Sequence, residues 1–182
     1  MRLVSRPLPG MLVLQTEPRV DGRGYFARCF CRDELAQWGV AASVQQANLS
    51  FSERARTLRG LHYQVGPSAE TKVVTCLQGE LYDVVLDLRP ESPCFGEHAV
   101  VELSGANHRL LVIPPGCAHG FMTRQNATLL LYMVSSAYDP VRERAVRWND
   151  PGFAIWWPDA PRVISPRDAA IPDFDPGQHV AA

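Results

Sequence analysis

The chain has 182 residues, 46% of them hydrophobic, and a formal net charge of −1 from 18 basic and 19 acidic side chains. That length and composition predict one domain with a real core, and the near balance of charge excludes a long-range field suited to nucleic acid or an anionic membrane. No apolar run approaches the ~18 residues of a membrane span, the start MRLVSRPLPG lacks a signal-peptide apolar stretch, and five cysteines without a CxxC pair fit reduced, core-filling thiols, so a cytoplasmic protein is expected.

Short apolar runs rich in β-branched residues, separated by Gly, Pro, Asn and Asp, recur from residue 11 to residue 134. They predict strands at 11–15, 25–30, 43–50, 57–64, 71–78, 80–88, 97–103, 109–113, 118–124 and 127–134. Between the second and third of these, CRDELAQWG reads as one short helix stopped by Gly39. LYDVVLDL and TLLLYMVSS are apolar on both parities, as strands covered on both faces are, and a two-sheet sandwich or closed jelly roll supplies that cover. The fold class is therefore all-β, with a jelly-roll core over about 40–135 in one domain spanning 1–182. The proline- and tryptophan-rich tail 136–182 is expected to wrap the sandwich, with a helical turn starting near Ser165.

The segment RGLHYQ, Arg59 to Gln64, holds the first candidate for chemistry. His62 reads three ways: a packed core histidine, a metal ligand or a base. In a regular strand Arg59 and His62 face opposite sides, and they meet only if Gly60 permits a bulge. A jelly-roll metal site would use His62, Glu70 and His119, but Gln64 stands where a second histidine is needed and a neutral amide is a poor ligand, so no metal is expected. Lys72 is the only lysine in an otherwise arginine-based chain, and it lies inside a strand, where a compact ammonium or a snorkelling edge residue is expected. Tyr132 reads as a core aromatic or a polar group in a strand. Asp83 and Asp87 share a parity, and one of them is expected to face inward.

RGLHYQ, GELYDVVLDLR, IPPGCAHGF, VRERAVRWNDP and ISPRDA, in this order and spacing, resemble the dTDP-4-dehydrorhamnose 3,5-epimerase family over residues 3–173. The resemblance implies a cupin-like jelly roll that works without metal or cofactor as a homodimer, its N-terminal segment reaching the partner's site. It implies His62 as base, Asp168 as its orienting partner, Tyr132 as opposing acid and Lys72 as stabiliser of the enolate oxygen. Arg59 would hold the diphosphate, with Arg23, Gln46, Asn48, His119 and Glu143 around the nucleotide sugar and Arg167 where a lysine is usual. Arg28 and Asp83 complete the expected substrate-binding set. Arg28 departs from the family pattern, standing in DGRGYFARCF where RGFFxE carries a thymine-reading glutamate; an arginine cannot accept the thymine N–H, so CDP- and GDP-linked substrates stay open at this point.

The implied chemistry is coherent. A proton on carbon beside a ketone is too weakly acidic for a neutral base unless the developing oxyanion is stabilised. A general base contributes about 10²- to 10⁴-fold, and one positioned oxyanion donor adds about 3–4 kcal/mol, so His62 and Lys72 need each other. Inversion further requires an acid on the far face of the sugar. The expectation is an epimerase acting at C3, C5 or both on a nucleotide-linked 4-keto-6-deoxyhexose, with a rate that falls at low pH. A keto-isomerase and a non-catalytic sugar-nucleotide-binding cupin stand as alternatives on the same scaffold.

Overall fold

The computed structural model describes residues 1–41 and 43–179; the last three residues of the expected tail lie outside them. Two six-stranded sheets form a sandwich. The first has the order β1 (Arg2–Ser5), β2 (Leu12–Gln15), β10 (Arg109–Ile113), β7 (Lys72–Gln78), β12 (Thr128–Val134) and β5 (Gln46–Ser52). The second has the order β13 (Glu143–Ala145), β6 (Thr57–Gln64), β11 (Cys117–Thr123), β8 (Glu80–Asp87) and β9 (His98–Ser104), with β14 (Val163–Ile164) running parallel to β6. A separate hairpin joins β3 (Arg19–Asp21) to β4 (Gly24–Phe26).

Strand alternation explains how both faces of β8 are used. Leu81 and Val85 enter the core between the sheets with Val74, Leu111, Phe121 and Leu130. Tyr82, Val84 and Leu86 face the other way, where Val146, Ile155 and Trp157 of the tail cover them. Trp157 fixes its indole there by donating to the Trp148 carbonyl at 2.7 Å. On the far side of the first sheet, Leu12, Leu14, Leu110 and Val112 are covered by Leu35 of the short helix α1 (Arg32–Ala36), which ends before Gly39 at φ +80°.

Four expectations need correction. The sandwich begins before residue 40, because β1 and β2 belong to the first sheet, and the tail extends the second sheet through β13 and β14. The strand expected at 25–30 ends at Phe26 and, among the described residues, pairs only within its hairpin, since DGRG turns the chain back before a longer ladder can form. TLLLYMVSS is not covered on both faces: Leu129 and Leu131 are half-buried, and Leu49 and Phe51 beside them on β5 are exposed. Cys76 and Cys117 fill the core, but Cys29 is exposed and Cys31 and Cys94 are only half-buried. Among the described residues no helix is long and apolar enough to cross a membrane.

Candidate active site

A cavity of about 740 Å³ lies between β6 and β11 of one sheet and β5, β7 and β12 of the other, with tail residues completing its wall. Its shape starts at Gly60. On β6, Arg59 pairs with Phe121 and His62 pairs with His119, so two residues, Gly60 and Leu61, stand opposite one, Gly120, and one extra residue is accommodated between them. Gly60 has φ +112°, and a Cβ there would lie 2.5 Å from Gly120 Cα and 2.8 Å from the His119 carbonyl. Only glycine satisfies both the backbone angle and the space. The bulge breaks the period of two and brings Arg59 and His62 to the same cavity.

The tail supplies the partner of His62. After β14 runs alongside the start of β6, the helical turn α2 (Pro166–Ala169) begins at Ser165, whose hydroxyl accepts the Asp168 N–H at 3.0 Å. Pro166 at the first helical position fits this cap, since its missing donor would be unpaired there anyway. Asp168 is thereby held with Oδ1 2.9 Å from His62 Nε2, while Oδ2 accepts the Gly60 N–H at 3.4 Å. Burial pushes the Asp168 carboxyl up, but its hydrogen bond to His62 and the imidazole charge outweigh this and hold it below the usual range. An ionised carboxylate can only accept, so Nε2 carries a ring proton, and whenever the ring is neutral its lone pair lies on Nδ1.

Tyr132 reaches the cavity from β12, in the opposite sheet. Burial, then the charge of Glu70, raises its phenol above the ordinary value of 10, against a smaller lowering by Arg59. Lys72, at the start of β7, donates from Nζ to the His62 carbonyl at 3.1 Å and pairs with Glu70 Oε1 at 3.2 Å. Gln64 donates to Glu70 Oε2 at 2.9 Å and accepts the Asp139 N–H at 2.6 Å. His119 also lines the cavity, its Nε2 2.9 Å from the fully buried Asp83, whose carboxyl burial pushes up.

On the edge strand β5, Gln46, Asn48 and Ser50 face the cavity while Leu49 and Phe51 face out, a simple period of two. The Arg59 guanidinium is anchored on the Phe51 carbonyl at 3.1 Å and the Ser52 hydroxyl at 3.3 Å. Glu143 accepts from Tyr138 Oη at 2.7 Å and from Arg167. Burial pushes its carboxyl up, yet Arg167 and Tyr138 together hold it below its ordinary value.

The cavity therefore gathers His62, Tyr132, Asp168, Lys72, Gln46, Asn48, Arg59, His119, Glu143 and Arg167. Three expected residues are not in its wall. Asp83 is corrected from a substrate-binding residue to a buried support behind His119, because its β8 parity points it into the sandwich with Leu81 and Val85. Arg23 pairs with Asp21 and Arg28 with Glu34 at 2.8 Å, both outside the cavity of their own chain. Sequence reasoning missed Glu70 and Gln64 as a linked pair, and Tyr138 altogether. Glu70 shares a parity with Lys72 in AETKV, which is the local signal that it reaches the lysine, whereas its link to Gln64 crosses a turn and Tyr138 lies in an irregular segment with no period to read. Among the described residues no three of His, Cys, Asp and Glu gather as metal ligands would.

Chemically, the arrangement offers an imidazole backed by a carboxylate, a protonated phenol from the facing sheet, and an ammonium that reaches the His62 carbonyl. The family profile described as dTDP-4-dehydrorhamnose 3,5-epimerase matches residues 5–176. The dTDP-4-dehydrorhamnose 3,5-epimerase of Salmonella typhimurium is 38% identical over 177 residues, 96% of each chain. The crystal structure of the Bacillus anthracis dTDP-4-dehydrorhamnose 3,5-epimerase with TDP and PPi bound is similar at a TM-score of 0.92 and 36% identity, covering 95% of this chain and 99% of that one. A Legionella pneumophila dTDP-6-deoxy-D-glucose-3,5-epimerase in complex with dTDP-4-keto-L-rhamnose has a TM-score of 0.87 at 34% identity, covering 93% and 90%.

Proposed function

The chain belongs to the dTDP-4-dehydrorhamnose 3,5-epimerase family, and from that membership we propose how its side chains divide the work of an isomerase that inverts C3 and C5 of a dTDP-linked 4-keto-6-deoxy sugar. The family's own activity sets aside the CDP- and GDP-linked substrates, the keto-isomerase and the binding-only cupin.

His62 takes the proton from carbon next to the C4 ketone through Nδ1, and Asp168 stabilises the imidazolium that forms. Electrons from the broken C–H bond move onto the ketone oxygen, where Lys72 meets the enolate. An ammonium has three donors; one goes to the His62 carbonyl and one to Glu70, which leaves one for the substrate. Tyr132 then delivers its proton to the opposite face of the same carbon, and the configuration inverts. Arg59 and Arg167 neutralise the diphosphate, and Gln46, Asn48, His119 and Glu143 hold the sugar and nucleoside.

The observation that carries this assignment is that base and acid belong to opposite sheets and bound one cavity, with the lysine reaching from the acid's sheet to the carbonyl of the base residue. In deuterium oxide the native enzyme should place deuterium at C3 and C5 of dTDP-4-keto-6-deoxyglucose, read by NMR. His62→Ala should abolish that incorporation with an unchanged circular dichroism spectrum; full retained exchange overturns the role of His62.

We further infer a homodimer in which the N-terminal segment serves the partner's site. Val20, Tyr25 and Phe26 of the β3–β4 hairpin are exposed, as are Leu49 and Phe51 on β5, and the hairpin brings Arg23 and Arg28 away from its own cavity. β5 is the last strand of its sheet, and an exposed edge strand carrying large apolar side chains is a ready surface for a second chain. Sedimentation at micromolar concentration should give twice the chain mass; a monomer with full activity overturns the inference.

A further inference from the structure

We propose that Glu70 is a positioning residue of the epimerase reaction: its buried carboxylate aims the Lys72 ammonium at the ketone oxygen and holds Tyr132 in its role as acid. The proposal rests on the catalytic reading above and adds to it a residue that the reaction chemistry itself does not call for.

The geometry of the cluster carries the argument. Glu70 is 9% exposed, lies in the connection between β6 and β7, and lines the same cavity as His62, Lys72 and Tyr132. Its two oxygens are divided. Oε1 lies 3.2 Å from Lys72 Nζ, and Oε2 accepts from Gln64 Nε2 at 2.9 Å. Gln64 is itself fixed, since the same amide nitrogen also reaches the carbonyls of Ser68 and Ala137 at 3.2 Å and its oxygen accepts the Asp139 N–H. A carboxylate clamped from behind in this way acts as a rigid rest for a flexible side chain.

Lysine needs such a rest. Four methylenes give it many rotamers, and a nearly buried ammonium without a counter-charge is costly. The His62 carbonyl at 3.1 Å supplies one contact but no negative charge. Glu70 supplies the second contact and the charge, and with two of three N–H groups occupied the direction of the third is set. Because the His62 carbonyl and the His62 imidazole belong to one residue, the same clamp ties the oxyanion donor to the base.

The second effect is on Tyr132. The titratable groups that line the cavity with Tyr132 are His62, Arg59 and Tyr63 from β6, Glu70 and Lys72 from the next connection and strand, His119 from β11, and Tyr138, Glu143, Arg167 and Asp168 from the tail; its β5 neighbour is the uncharged Asn48. After burial, Glu70 is the group that raises the phenol, and Arg59 opposes it. A phenol held in its protonated form is what a proton donor requires.

The test compares native enzyme, Glu70→Gln and Glu70→Asp in epimerisation of dTDP-4-keto-6-deoxyglucose, with kcat, KM and the alkaline limb of the pH–rate profile measured for each. Glu70→Gln keeps the shape and the Gln64 contact but removes the charge. It should lower kcat about tenfold or more with KM nearly unchanged, and its alkaline limb should begin at lower pH than in the native enzyme. Glu70→Asp, which restores the charge, should recover part of kcat and move the limb back. An active native enzyme whose kcat and alkaline limb are unchanged in Glu70→Gln overturns the proposal. So does an equal loss in both variants with the native alkaline limb, which marks a purely structural role. A native enzyme without epimerase activity sinks the catalytic reading instead, so the two failures are distinct. Should Glu70→Gln fail to fold, Glu70→Asp decides: its carboxylate is drawn back from Lys72 and Tyr132, so kcat should fall and the alkaline limb should begin at lower pH than in the native enzyme, and a limb at the native position overturns the proposal.

Discussion

His62 and Asp168 are 106 residues apart in the chain, and their side chains meet at 2.9 Å. The contact depends on β14 returning along β6 and on the Ser165 cap, so the tail is part of the reaction centre as well as a cover for the second sheet. It also carries a charge relationship whose sign can be followed with pH.

Asp168→Asn should reduce kcat by about 10²-fold or more with a small change in KM, because an amide can present its N–H to the ring and favour the wrong tautomer. The folded Asp168 carboxyl lies below its unfolded value of about 3.9, so its contribution to stability is complete above that pH and is lost as pH falls through the lower folded value. Thermal melts of native and Asp168→Asn protein should therefore differ at neutral pH and converge below about pH 4. Melts that differ equally at all pH values contradict the ion pair.

Tyr132→Phe separates the acid from the base. Inversion should fall by about 10²-fold, while His62 still removes and returns a proton on its own face. Deuterium should then enter the substrate without net epimerisation, and NMR distinguishes the two. Since burial and Glu70 raise the native phenol above its ordinary value of about 10, Tyr132 should cause no fall in kcat on the alkaline side below that pH.

Lys72→Met should cost about 10²- to 10³-fold in kcat through loss of the oxyanion donor. It should also destabilise the fold by about 3 kcal/mol, because the buried Glu70 carboxylate is left without its cation. Adding Glu70→Gln to Lys72→Met should regain stability but no activity, as urea unfolding and turnover measured on the same preparations would record. Lys72→Arg should not rescue kcat, since a planar guanidinium cannot occupy the site of a compact ammonium.

Gly60→Ala should destabilise the protein by about 2 kcal/mol or more, from both the left-handed backbone angle and the contact with Gly120. Activity should fall beyond what the unfolded fraction explains, because relief of the clash moves Arg59 and His62 relative to each other. Equilibrium unfolding and kcat at a temperature where the variant is fully folded would check both parts.

Most of the sandwich was readable in advance. The strands from 43–50 onward, the short helix before Gly39 and the turn at Ser165 all correspond to observed elements, because alternation, glycine stops and Ser-Pro caps act within a few residues. The two-sided apolar pattern of LYDVVLDL correctly required cover, and the tail provides it. The same reasoning failed for TLLLYMVSS, where an apolar outer face remains partly open: periodicity reports that a face is apolar but not what covers it. It failed for β1 and β3 as well, since strands this short complete too few periods to be seen.

The sequence by itself determined an all-β chain and, through five ordered motifs, the set of groups from which a proton-transfer site could be built. Local spacing even contained the condition for joining Arg59 to His62, a bulge at Gly60. Only the tertiary structure decided which groups meet: that Asp168 reaches His62, that Asp83 retreats behind His119, and that Glu70 braces Lys72. The physical reason is one of range. Propensity and alternation are fixed by neighbours along the chain, whereas a hydrogen bond of 2.9 Å between distant residues is set by how two sheets and a returning tail pack, a sum over many side chains that no local pattern records.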